Sequence, residues 1–147
     1  MHKIQGEIIL IDDEEYEEDF LNESLDKLEY VAIVKYFNSA EAALEYIQQS
    51  THEIFLIISD IHMRPMSGLE LKKQLDSDAN LRLKSIPFVF ATAMATEASV
   101  NAAYEHNIQG YFEKPTELSR LVEMLSTIIR YWIINLHPHK SAFLNKK

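Results

Sequence analysis

No cysteine occurs in the chain, which excludes disulfides, thiol catalysis and thiolate metal sites. Glycine and proline are sparse, three and four among 147 residues, too few for a low-complexity linker, and no segment repeats at a fixed period. No apolar run approaches the ~20 residues of a membrane span, and residues 1–6 lack the apolar stretch of a secretion signal. Positive charge is also short. Fourteen Lys and Arg stand against 23 Asp and Glu, a net charge of -9, which argues against a nucleic-acid surface. What remains is an acidic chain, 47% hydrophobic and long enough for one domain with its own core. The expectation is a cytoplasmic protein with neither nucleic acid nor membrane as a partner.

The most informative stretch is residues 54–68, IFLIISDIHMRPMSG. Its first six residues form an uninterrupted apolar or small run, long enough for a strand buried on both faces and too short for a typical helix. Asp60 follows at once. An ionised carboxylate there is costly unless it sits at the strand's carboxyl end, opening to solvent and meeting a cation. Residues 7–11, EIILI, repeat the pattern and end in Asp12 and Asp13.

Residues 31–37 and 86–91 supply two more strand patterns, the latter delivering Thr92, and residues 110–113 a short fifth that delivers Lys114 and Pro115. Helical periodicity lies between and after them. Residues 14–28 carry apolar positions at Tyr16, Phe20, Leu21, Leu25 and Leu28, with Glu14, Glu15, Glu17, Glu18 and Asp19 read as acids that suit the helix dipole. Asn38 with Glu41 reads as a capping box for a helix to about Gln49, and Ser67 with Glu70 as another for a helix carrying Leu69, Leu71 and Leu75. Residues 76–85 read as a loop or frayed helix end, and 96–106 as a weak helix. The stripe Leu118, Leu121, Val122, Leu125, Ile128, Ile129, Trp132, Ile133 marks the strongest helix. Residues 135–147 read as a flexible tail after a domain spanning 6–134.

Five alternations of strand and helix imply parallel strands joined by crossovers in a three-layer α/β sandwich, whose ligand site lies beyond the strands' carboxyl ends. Asp12, Asp13, Asp60, Thr92 and Lys114 then become neighbours on one edge. Three converging carboxylates repel one another unless a cation intervenes, and Mg²⁺, with its preference for oxygen and retained water, is the natural one. With Lys114 as a further positive charge and Thr92 as a hydroxyl donor, the set suits attack by Asp60 on an incoming phosphoryl group.

Asp12-Asp13 after the first strand, Asp60 followed by Met63, Pro65, Met66 and Gly68, Thr92 after the fourth strand and the Lys114-Pro115 pair together resemble the receiver domain of bacterial two-component response regulators. The resemblance covers residues 7–132. It implies a flavodoxin-like (βα)5 doubly wound sheet of strand order 2-1-3-4-5, in a stand-alone, chemotaxis-regulator-like switch that is a phosphoacceptor rather than an enzyme. Asp60 would accept the phosphoryl group from a histidine kinase or histidine phosphotransfer protein. Asp13, Asp60 and the backbone carbonyl of His62 would bind Mg²⁺ directly, with Asp12 acting mainly through water. Thr92 and Tyr111 would be the switch residues, and the Lys114–Pro115 bond would be cis. Output would pass to a downstream protein effector, or to a second copy, through the face formed by residues 96–134.

Two positions depart from the family pattern or vary within it. Arg64 stands where the family has its proline, with Pro65 one residue later. His62 and Met94 occupy variable positions two beyond Asp60 and Thr92, where the apolar Met94 is expected to shield the acyl phosphate from water. The competing readings are a binding platform that works without phosphorylation and an aspartate-nucleophile phosphohydrolase. The latter wants an acid where His62 stands. The remaining five histidines show no metal-ligand spacing and are expected at the surface.

Overall fold

The uninterrupted apolar runs of the first, third and fourth strands require cover on both faces, and a computed structural model that describes residues 2–138 supplies it. Strands β1 (His2–Ile11), β2 (Tyr30–Phe37), β3 (Ile54–Ser59), β4 (Phe88–Thr92) and β5 (Gly110–Glu113) form one five-stranded sheet in the order β2-β1-β3-β4-β5. Every pairing is parallel. The intervening helices are α1 (Glu17–Leu28), α2 (Ala40–Gln49), α3 (Gly68–Ser77), α4 (Ala79–Lys84), α5 (Glu97–Tyr104) and α6 (Leu118–Ile134). The expected fold class and strand order are both found.

Alternation along the strands divides the core in two. Ile9, Ile11, Ile57, Phe88 and Phe90 point to one face and pack with Ala43, Ile47, Leu71 and Leu75 of α2 and α3. Ile8, Leu10, Leu56, Ile58, Val89 and Ala91 point to the other and pack with Leu21, Leu25, Leu121, Leu125, Ile128 and Ile129 of α1 and α6. A strand buried on both sides has no polar face to show in its sequence, so β1, β3 and β4 read as continuous apolar runs.

Four local expectations are corrected. First, β1 begins at His2 rather than Glu7: His2 and Lys3 pair with Tyr30 and Val31, and the register then shifts where Gly6 takes φ +95°. That left-handed conformation suits glycine at an irregularity in the strand. Second, the N-cap of α2 is Ser39, whose hydroxyl accepts from the Ala42 amide at 3.2 Å, and not Asn38. Serine and asparagine are near-equal caps, so a one-residue shift is decided by packing; Ala40 is fully buried.

Third, residues 79–84 form a short helix where a loop or frayed end was expected. Asp78 caps it by accepting from the Asn80 and Leu81 amides, and Leu81 is tucked into the core. Fourth, His137 is buried rather than exposed. Its ring stacks on Phe55 at a centroid distance of 4.8 Å, meets Trp132 edge-on, and places Nε2 at 2.5 Å from the Phe55 carbonyl oxygen. The stretch expected as a tail, residues 135–147, thus holds one docked residue at His137, and residues 139–147 lie outside the described residues.

One glycine bears directly on the site. The first turn of α3 lies against the end of β3, where the Gly68 amide donates to the Ile61 carbonyl at 3.0 Å. A Cβ on Gly68 would stand 2.2 Å from the Asp60 carbonyl oxygen and 2.8 Å from the Phe90 ring. Gly68→Ala is therefore expected to lower stability by roughly 2 kcal/mol, the usual cost of overpacking, and to shift the backbone at Asp60. Thermal unfolding and the amide resonances of Asp60 and Ile61 report the two effects.

Candidate functional site

Parallel pairing brings the strand ends level, and backbone hydrogen bonds carry the alignment past them. The Asp12 amide donates to the Phe37 carbonyl, that of Asp60 to Ile11, and that of Lys114 to Thr92, at 3.1, 2.8 and 2.7 Å. Residues distant in sequence thus meet on one rim. Asp12, Asp13 and Asp60 each offer a carboxylate oxygen within 4.8 Å of the other two, with Asp12 buried and Asp13 exposed.

The oxygens of these acids have different duties. Asp60 Oδ1 accepts from the Ile61 and His62 amides at 2.7 and 3.2 Å, which locks the side chain. Its Oδ2 lies 4.0 Å from Lys114 Nζ, within ion-pair range but too far for a hydrogen bond. Asp12 accepts the Glu14 amide at Oδ1, 2.9 Å, and the Lys114 amine at Oδ2, 2.5 Å. The Tyr36 hydroxyl donates to the Asp12 carbonyl at 2.6 Å and pins the backbone there.

Burial is the largest influence on Asp12. It pushes the carboxyl up from 3.8 to about 6, against the opposing pull of the Lys114 amine. Burial would lower the lysine, but Asp12 and Glu17 outweigh it and hold Lys114 above the usual lysine range. A carboxyl whose folded value is raised contributes stability at acid pH that is lost as pH rises through that value. In metal-free protein, wild type should therefore gain on Asp12→Asn as pH falls from about 7 to 5, by roughly 1.4 kcal/mol, the equivalent of one pKa unit. Thermal unfolding of both proteins measures this, and saturating Mg²⁺ should flatten the difference.

The donor set fits a hard divalent cation: all oxygen, three acids, one open to solvent. Asp12, Asp13 and Asp60 are the residues that would hold such an ion, and Asp12 already accepts from the Glu14 amide and the Lys114 amine. A cleft of about 430 Å³ opens beside them, lined by Asp13, Asn38, Ile61, His62, Met63, Arg64 and Ser67.

Thr92 is buried at the end of β4 with Oγ1 3.5 Å from the Met94 amide. Tyr111 is half-buried, packs against the Phe90 side of the core and shares a 2.9 Å hydrogen bond with Ser99 of α5. The His62 ring nitrogen Nε2 lies 3.1 Å from the Met94 carbonyl, tying the two loops together, while the Met94 side chain is 70% exposed.

One site expectation fails. Among the described residues the cis peptide bond is Arg64–Pro65, and Lys114–Pro115 is trans. Cis and trans X-Pro bonds are close in energy, so the surrounding fold selects the isomer and the dipeptide is silent.

One residue was missed. Glu17, read as a helix-dipole acid, is buried and accepts from Lys114 Nζ at 3.0 Å. The signal was present: Glu17, Leu21, Ser24 and Leu25 lie on the inner face of α1, and all four are buried.

A sequence model of the response regulator receiver domain matches residues 8–126 of the chain. The chain belongs to the response regulator receiver family. Among its relatives, the heme response regulator HssR of Staphylococcus saprophyticus is 27% identical over 133 residues, covering 90% of this chain and 55% of HssR. The chemotaxis protein CheY1 of Helicobacter pylori is 25% identical over 122 residues, 83% of this chain and 95% of CheY1. The receiver thus spans about half the length of the first relative and nearly all of the second.

Solved structures agree on the fold. The phosphorylated cyanobacterial phytochrome response regulator RcpA superposes with a TM-score of 0.80 at 21% identity, covering 89% of this chain and 96% of its own. The Mn²⁺-bound response regulator Rcp1 superposes with a TM-score of 0.79 at 23% identity, covering 88% and 96%. Among the described residues of this receiver, no helix is long and apolar enough to cross a membrane.

Proposed function

We propose that this receiver is a phosphoacceptor whose Asp60 takes a phosphoryl group from a phosphohistidine of a histidine kinase or phosphotransfer protein. The observation that carries this reading is the division of labour at Asp60, with Oδ1 locked by two amides and Oδ2 4.0 Å from the Lys114 amine, in a cluster with buried Asp12 and exposed Asp13. In the transfer, Asp60 Oδ2 forms the new P–O bond while the P–N bond to the donor imidazole breaks and its electron pair leaves with the ring. The Lys114 charge offsets the negative charge on the phosphoryl oxygens, and the Thr92 hydroxyl, on the adjacent strand end, donates to one of them. Bound at Asp13 and Asp60, Mg²⁺ would supply charge neutralisation and alignment of the phosphoryl oxygens. The protein is thus a substrate that assists its own modification rather than an enzyme with a separate substrate.

The output face is formed by α5, β5 and α6. The Tyr111–Ser99 hydrogen bond joins β5 to the first turn of α5, where Ser99 also completes a capping box with Thr96. Thr92 pairs with Glu113 of β5, whose Oε2 accepts from the Ala95 amide just before α5, and a protein effector that reads α5 and β5 would sense a change there.

The test is incubation with acetyl phosphate and Mg²⁺ followed by intact-mass measurement. A single phosphoryl adduct is expected, and chelation of the metal should slow its formation by at least ~10²-fold, the scale of lost charge stabilisation at a phosphoryl centre. Absence of an adduct from acetyl phosphate and from a phosphohistidine donor would instead favour a binding platform that works without phosphorylation.

A further inference from the structure

We propose that Glu17 is a positioning residue that holds the Lys114 amine off Asp60, so that the nucleophilic oxygen stays free and a phosphoryl oxygen has room beside it. The inference rests on the phosphoacceptor reading of Asp60.

An ammonium group carries three N–H donors. On Lys114 one is directed to Asp12 Oδ2 at 2.5 Å and one to Glu17 Oε1 at 3.0 Å, which leaves the third for the side of Asp60 Oδ2 at 4.0 Å. All four side chains lie deep in the rim, with Lys114, Asp12, Glu17 and Asp60 exposed by 9%, 3%, 5% and 11%. In such surroundings an amine with one anchor lost swings to the next acid, because Coulomb attraction between buried charges is weakly screened. That acid is Asp60. A direct Lys114–Asp60 hydrogen bond would occupy the oxygen that must attack phosphorus and fill the gap that a phosphoryl oxygen would take.

Glu17 can hold the amine firmly because its own backbone is fixed. It sits in the first turn of α1, whose Ser24 hydroxyl donates to the Val122 carbonyl of α6 at 3.0 Å, while Leu21 and Leu25 lock the same face into the core. The anchor therefore belongs to the packed α1–α6 layer, whereas Asp12 and Asp60 belong to the strand ends. A fully formed receiver site would then need two layers to meet: the sheet edge provides the nucleophile and metal ligands, and the helical layer sets where the amine stands.

The test compares wild type, Glu17→Ala and Glu17→Gln at saturating Mg²⁺, with limiting phosphorylation rate and half-saturating acetyl phosphate measured separately. Glu17→Ala should lower the limiting rate by roughly ten- to a hundred-fold, the penalty for misplacing a catalytic group by about an ångström, with little change in half-saturation. Glu17→Gln keeps an acceptor oxygen at the same reach and should recover most of the rate. Equal limiting rates for Glu17→Ala and wild type would overturn the proposal, as would equal losses for the Ala and Gln variants.

A second readout needs no phosphorylation. Crystal structures of wild type and Glu17→Ala, both without phosphodonor, should show Lys114 Nζ within hydrogen-bond distance of Asp60 Oδ2 only in the variant. An unchanged separation in a folded Glu17→Ala protein would refute the positioning role. If wild type itself takes up no phosphoryl group, the phosphoacceptor reading fails, and this distance still decides whether Glu17 holds the amine.

Discussion

Asp60→Asn is expected to take up no phosphoryl group from acetyl phosphate while wild type is modified at one site. The substitution is nearly isosteric, and an amide oxygen at the Oδ1 position can still accept from the Ile61 and His62 amides, so the loop after β3 keeps its conformation. What disappears is the second anionic oxygen, and a neutral amide nitrogen is no substitute as a nucleophile. The neighbouring acids are not replacements. Asp12 is tied to Lys114 and the Glu14 amide, and Asp13, though exposed, is not held in place by backbone donors in the way Asp60 is. Intact-mass spectra and circular dichroism of the two proteins measure adduct and fold together. An adduct on Asp60→Asn would move the acceptor to Asp13 and undo the assignment.

Lys114→Met should produce the largest loss of stability at this rim. It leaves the Asp12 and Glu17 carboxylates buried, at 3% and 5% side-chain exposure, without their cation. Breaking a buried ion pair by removing one partner costs about 3–5 kcal/mol, and for a rim that can admit water the lower end applies, about 3 kcal/mol. For a domain of this size that corresponds to a fall in Tm of roughly 10 °C.

The pH dependence has a definite sign. Without the amine, the value of Asp12 rises further above about 6, and a raised folded carboxyl favours the native state at acid pH and penalises it as pH rises. The gap between variant and wild type should therefore be widest near pH 8 and narrow toward about pH 5. Mg²⁺ should also narrow it, since a ligand bound only by the folded state stabilises that state by mass action. A constant gap across pH would mean that lost packing of the lysine stem, rather than unpaired charge, carries the effect.

Asp12 and Glu17 show how a neighbourhood is more legible than its contacts. Asp12 and Asp60 each follow an apolar strand and Lys114 follows the short β5, and parallel pairing with covered faces puts strand ends on one rim. Their convergence therefore follows from period and order alone. Glu17 gave a weaker signal because a first-turn acid has two sound explanations, the helix dipole and a buried partner, and only its phase with Leu21 and Leu25 separates them. The isomer at Pro65 and Pro115 gave none, since both X-Pro bonds are open to either form.

Elsewhere, local cues of similar strength competed. Asn38 and Ser39 are both good caps, and the depth of Ala40 settles the choice. Residues 79–84 lack a convincing apolar stripe, yet Asp78 and the burial of Leu81 suffice for a short helix. His137 follows the last periodic stretch with no pattern of its own, and its place is set by Phe55 and Trp132.

From the amino-acid order alone came the parallel α/β sheet, its two-sided core and the set of acids, hydroxyl and amine at its carboxyl edge, because hydrophobic period and strand-helix alternation act over neighbouring residues. The pairing of Lys114 with Asp12 and Glu17, and the 4.0 Å gap to Asp60, were decided only in three dimensions. The two pairings of Lys114 join residues about a hundred positions apart, and their lengths depend on how the α1–α6 layer is seated on the sheet, which no local pattern encodes.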